Sequence, residues 1–80
     1  MDKVKVGEYY KHYKGDYYQV LAIARHSETL EELVIYQGQY THEKFGDKPV
    51  WARPVELFIE MVEKEGKTFP RFEYIGPSLE

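Results

Sequence analysis

The stretch GEYYKHYKGDYYQVLAIAR, residues 7–25, decides the fold. Two β-prone arms, residues 7–13 and 17–25, flank Lys14-Gly15-Asp16, where Gly15 is free to take the positive φ of a tight turn. By strict alternation Tyr18, Val20, Ala22 and Ala24 share one face of the returning arm, and Tyr17, Gln19, Leu21, Ile23 and Arg25 share the other. Both faces are partly apolar, which suits a strand central to a small barrel.

Working outward, turn residues recur at His26-Ser27-Glu28-Thr29, Gly46-Asp47-Lys48-Pro49 and Glu65-Gly66-Lys67, and the segments between are rich in Tyr, Val, Ile and Phe. Two segments carry conflicting signals. Thr29 and Glu32 have the spacing of a helix capping box, but the side chains of Leu33-Val34-Ile35-Tyr36 favour a strand, and the strand is the reading adopted. Over residues 54–65, Val55, Phe58, Ile59 and Val62 follow helical spacing after Pro54, whereas Leu57, Ile59 and Met61 line one face of a strand. A strand over 50–53, one tight helical turn and a final hairpin turning at Gly66 into residues 68–75 reconcile these signals.

The expected fold class is therefore mainly β: a small antiparallel barrel of five to six strands with one short helical turn near Pro54, closed so that few strand edges stay free. The polar loop over 41–49 is the expected mobile segment. At 80 residues and 9.5 kDa the chain hides roughly 60% of its extended surface on folding, enough for one core. It has no cysteine, so eight tyrosines, four phenylalanines and Trp51 must supply the large rigid core groups.

No apolar run approaches the roughly 20 residues that span a bilayer, and residues 1–6 alternate charge and valine where a signal peptide would be apolar. A cytoplasmic location with no membrane partner is expected. One domain over 1–78 is expected, with Leu79-Glu80 read as an expression-tag remnant. The net charge of -3 is uneven: about +2 over residues 1–25, about -3 over 26–50 and about -2 over 51–80. That balance disfavours non-specific nucleic-acid binding, which needs a strong basic field.

Tyr10, His12-Tyr13-Lys14-Gly15, Tyr18, His26-Ser27-Glu28-Thr29, Val34, Tyr36, Tyr40, Trp51, Arg53-Pro54, Phe58, Val62 and Pro70-Arg71-Phe72 together resemble a bacterial domain of unknown function, DUF1653, from about residue 7 to residue 75. The resemblance implies an SH3-like barrel and no established activity.

Within those motifs His12, Lys14, His26, Arg53 and Arg71 are cations or imidazoles beside aromatics, a surface suited to an anionic or stacking ligand. Trp51 joins them, two residues before Arg53 on one strand face, where it would stack near the guanidinium. The structural alternative is that these residues close turns and hold carboxylates such as Glu28, Glu56 or Glu73. A cluster among Tyr9, Tyr13, Tyr17, Tyr36 and Tyr40 would add a stacking platform if exposed, or else fill the barrel.

His26-Ser27-Glu28-Thr29 lists the residue types of a hydrolase, but sequence neighbours point in different directions, and a structural turn accounts for them. His12, His26 and His42 with Glu28 or Glu43 match no metal-ligand spacing. No catalytic residue, metal ligand or cofactor is assigned. Three functions remain: a non-enzymatic module binding a nucleotide, a single-stranded nucleic acid or a protein; a small-molecule or metal-dependent accessory enzyme near the His26 turn; and an oligomerising domain.

Overall fold

The structure, a computed structural model, describes residues 4–79. Residues 1–3, part of the opening read for a leader, and Glu80, read as part of a tag remnant, lie outside the described residues. Strand β1 (Tyr9–His12) turns through residues 13–16 into β2 (Tyr17–Arg25), closed by His12 N–H on the Asp16 carbonyl and Gly15 N–H on the His12 carbonyl, both at 2.8 Å. Gly15 sits at φ +120°, so the hairpin expected from that glycine is the one that forms.

β3 (Glu32–Gly38) pairs antiparallel with the other side of β2. Thr29 opens no helix; its Oγ1 accepts the Glu31 N–H at 3.3 Å, and Glu32 begins the strand. The loop expected over 41–49 contains a small ribbon, β4 (Thr41–His42) against β5 (Gly46–Asp47). Next comes β6 (Val50–Pro54), paired with β3. Pro54 has no N–H to continue a ladder, and the chain turns into the single-turn helix α1 (Val55–Phe58). The hairpin of β7 (Met61–Lys64) and β8 (Lys67–Pro70) turns at Glu65 and Gly66, both at positive φ as a two-residue turn requires. The expected arm over 68–75 is two strands, because Arg71 separates β8 from β9 (Phe72–Gly76), which joins a different sheet.

The main sheet has the order β6-β3-β2-β1-β9 and stays open, which corrects the expected closed barrel. An aromatic stack fills the gap instead. Phe58 of α1 lies flat on Phe72 of β9, with centroids 4.2 Å apart and planes 7° from parallel, while Tyr10 and Tyr36 each meet Phe58 edge-on at 5.3 Å. Val4, Val20 and Val34 complete the buried core.

A second correction concerns β2. Val20 faces Tyr36, but the next pair is Ala22 with Ile35, so Leu21 is an extra residue. Beyond this bulge the faces exchange: Ile23 pairs with buried Val34, and Ala22 and Ala24 pair with Ile35 and Leu33 on the outer face.

Candidate functional site

The sheet register gathers the cations and aromatics at one end. His12 lies opposite Phe72, Lys11 opposite Tyr17, Tyr18 opposite Gly38 and Gln37 opposite Val50, so the ends of β1 and β3 meet the starts of β2, β6 and β9. On β6, Trp51 and Arg53 face Tyr36 and Val34 and share the inner face, as their two-residue spacing requires.

Tyr18, Tyr36, Tyr40, Trp51 and Arg53 line a cleft of about 210 Å³. Its rings are fixed through their polar ends. Trp51 Nε1–H donates to the Tyr40 hydroxyl at 3.2 Å, the Tyr40 and Tyr18 hydroxyls are 3.2 Å apart, and Arg53 Nε–H donates to the Tyr36 hydroxyl at 3.3 Å. Burial, and then the bond to Tyr40, push the Tyr18 hydroxyl well above the usual tyrosine range, so it stays neutral at physiological pH. Phe45, 62% exposed, forms an outer lip with His42 and Trp51, its ring centre 4.7 Å and 5.5 Å from theirs.

The Arg53 guanidinium lies over Phe72 at 5.6 Å, not over Trp51 as expected. Among the described residues no carboxylate lies within 4.0 Å of it. His12 meets Phe72 edge-on at 4.9 Å and stacks on Tyr13 at 4.7 Å. Burial lowers the His12 pKa below the ordinary 6.5, and so do the charges of Arg71, Arg53 and Lys14 in that order, against an upward pull from Asp16. Its Nδ1 accepts the Lys14 N–H at 3.1 Å, which the neutral ring allows.

A direct consequence is that the neutral form of His12 is favoured on folding. Its contribution to stability is complete above pH 6.5 and declines as pH falls through 6.5 toward the lowered folded value. Ring titration by NMR is expected to give a His12 midpoint below 6.5, and His12→Gln is expected to shrink the fall in thermal midpoint over that window. A His12 midpoint at or above 6.5 would remove the cationic field from around it.

Tyr13 forms a second station. Lys14 Nζ, Lys64 Nζ and the Arg71 guanidinium each lie 5.9 Å from its ring centre, and Phe69 lies 5.6 Å away. A backbone bond, Tyr13 N–H to the Arg71 carbonyl at 3.0 Å, joins the two segments. Arg71 also donates from Nη2 to Glu60 at 3.0 Å, a partner that was not among the carboxylates expected. Its Nε is buried with no acceptor among the described residues.

Of the six residues singled out, His12, Lys14, Trp51 and Arg71 thus sit at one end of the sheet, and Arg53, opposite Val34 near the other end of β6, reaches them by laying its guanidinium over Phe72. His26 does not: it closes the β2–β3 turn at the far end of β2, ~26 Å away at the rise of an extended strand. Its Nδ1 accepts the N–H groups of Glu28 and Thr29 at 3.1 Å and 3.3 Å, which is the structural turn. Among the described residues no group of three or more His, Cys, Asp or Glu side chains converges to hold a metal ion, and no helix is long and apolar enough to cross a membrane. Sequence reasoning missed Lys64 and Phe45; an isolated Phe inside an otherwise polar loop was the available signal for the second.

The family profile described as "Protein of unknown function (DUF1653)" matches residues 8–74. The chain is similar to the crystal structure of a protein belonging to DUF1653 from Bordetella bronchiseptica, with a TM-score of 0.81 and 33% sequence identity over 98% of this chain and 95% of that one. No curated protein matches the chain. A family match over most of the chain, and a related structure superposing over nearly all of it, agree: the chain belongs to the DUF1653 family.

Proposed function

We propose that this chain is a non-catalytic binding module that takes an anionic group at Arg53, with a flat or apolar part of the same ligand against Trp51, Tyr40 and Phe45. The observation that carries this reading is Arg53 itself. A half-buried guanidinium held over Phe72 and bonded to a tyrosine hydroxyl, with no carboxylate beside it among the described residues, retains capacity for an anion. The cations acting on His12 add to the same positive field.

The architecture reads as an SH3-like roll left open at one seam. What supports that reading is the order β9-β1-β2-β3-β6, with a helical turn after β6 and the β7–β8 hairpin between that turn and the last strand. SH3 domains dock extended peptides in aromatic-lined grooves, a geometry related to this cleft. Arg53, with no carboxylate beside it among the described residues, favours an anion over a neutral peptide.

The test is a backbone amide titration with mononucleotides, read alongside fluorescence from Trp51, the one tryptophan in the chain. Shifts are expected around Tyr18, Tyr40, Trp51 and Arg53. Arg53→Ala is expected to abolish them while costing about 1 kcal/mol of stability, the scale of one hydrogen bond. A large fall in thermal midpoint with intact binding would make Arg53 a structural residue and overturn the assignment.

A further inference from the structure

The Arg53 cleft and the Tyr13 station are joined by ring contacts through buried Phe72 and His12, and together they offer two aromatic and cationic stations where one mononucleotide would occupy one. We infer that the occupant is a short single-stranded nucleic acid, with one base at Trp51, Tyr40 and Phe45, a phosphate at Arg53, and the next phosphates at Lys14, Lys64 and Arg71 beside a base on Tyr13. This rests on the reading of the Arg53 cleft as an anion site.

Three features carry it. First, each station pairs an accessible ring with cations: Trp51 with Arg53 in one, and Tyr13 with Lys14, Lys64 and Arg71 in the other. Base stacking beside backbone-tracking cations is how single strands are held without sequence readout. Second, the stations are linked by ring contacts: Tyr18 to Phe72 at 5.6 Å, Phe72 to His12 at 4.9 Å and His12 to Tyr13 at 4.7 Å. Third, the overall negative charge does not reach this end unopposed. The carboxylates Glu28, Glu31 and Glu32 lie at or beside the β2–β3 turn, at the opposite end of the sheet. Asp16, Glu60 and Glu73 lie close to the second station and Glu63 and Glu65 flank Lys64 in the chain; Glu60 is paired with Arg71. Affinity then comes from individual phosphate contacts to these cations beside the rings and not from a protein-wide field, so the chain's net charge of -3 does not by itself oppose the site.

The experiment compares a mononucleotide with a four-nucleotide single-stranded RNA, each titrated against the wild type, Arg53→Ala and the double variant Lys14→Ala/Lys64→Ala, with thermal midpoints to confirm folding. The tetranucleotide is expected to bind at least about tenfold tighter than the mononucleotide. The double variant is expected to weaken the tetranucleotide more than the mononucleotide and to lower its salt slope by about 1.4, at about 0.7 per phosphate contact on a single strand. Equal affinities for the two ligands, or an unchanged salt slope in the double variant, would overturn the inference while leaving the Arg53 site intact. Mononucleotide binding that survives Arg53→Ala, or no binding of either ligand, would overturn the underlying site as well.

Discussion

Phe58→Ala is expected to lose about 3–5 kcal/mol of folding stability, the cost of emptying a large buried aromatic site. Phe58 is 1% exposed, and its ring is enclosed by Phe72 on one face and by the edge contacts of Tyr10 and Tyr36. No neighbour can collapse into the space, because Tyr10, Tyr36 and Phe72 belong to sheet strands whose positions are set by hydrogen bonds. Small domains have roughly 5–15 kcal/mol in total, with short chains toward the lower end, so the variant is expected to be largely unfolded at physiological temperature. Urea denaturation measures the loss directly. The effect is larger than for an ordinary core residue because Phe58 also replaces strand pairing between the two edges of the sheet. A loss under about 1.5 kcal/mol, the range of a tolerated apolar swap, would mean that the open seam is held by something other than this stack.

That stack also shows where the sequence stops being informative. The first hairpin was legible because Gly15 permits a turn that other residues resist, and the helical turn was legible because Pro54 suits a first helical position and is followed by Val55, Phe58 and Ile59 at helical spacing. Phe58 had the spacing of a buried residue, but nothing local says that it buries against Phe72, fourteen residues later and on the opposite edge strand. Without that contact, closure by hydrogen bonds was the economical expectation. The bulge at Leu21 was equally silent, since an apolar run reads the same with or without one unpaired residue.

The site divides along the same line. Trp51 and Arg53 share a face because strands have a period of two, which the sequence carries. Arg71 meets Tyr13 because β9 returns to pair with β1, a contact between the two ends of the chain. His12 and His26 each cap a turn through Nδ1, but the His26 turn lies beyond the far end of β2. Residue type identified candidates; long-range register decided which of them meet.

The same register makes Gly38 the residue on which the cleft turns, and Gly38→Ala is expected to disable binding while leaving the fold standing. An alanine Cβ at this position would lie 2.5 Å from Cε2 and 2.7 Å from Cζ of Tyr40, closer than carbon atoms approach, so the Tyr40 ring must move. The backbone has no such conflict: Gly38 ends β3 with its N–H on the Pro49 carbonyl at 2.8 Å, and its φ is not in the positive region reserved for glycine. The ring therefore gives way, and its hydroxyl leaves both Trp51 Nε1 and the Tyr18 hydroxyl. Two hydrogen bonds at a partly solvated site put the stability loss at about 1–2 kcal/mol. Trp51 fluorescence is expected to change in the free protein, and mononucleotide affinity is expected to fall by more than about tenfold, the worth of one lost stacking contact. Tyr40→Phe separates ring from hydroxyl: it keeps the stacking surface and removes only the polar links, so it should retain most of the affinity. If Gly38→Ala bound as tightly as the wild type with an unchanged Trp51 signal, Tyr40 would be free to move without consequence, and the cleft would not be the binding site.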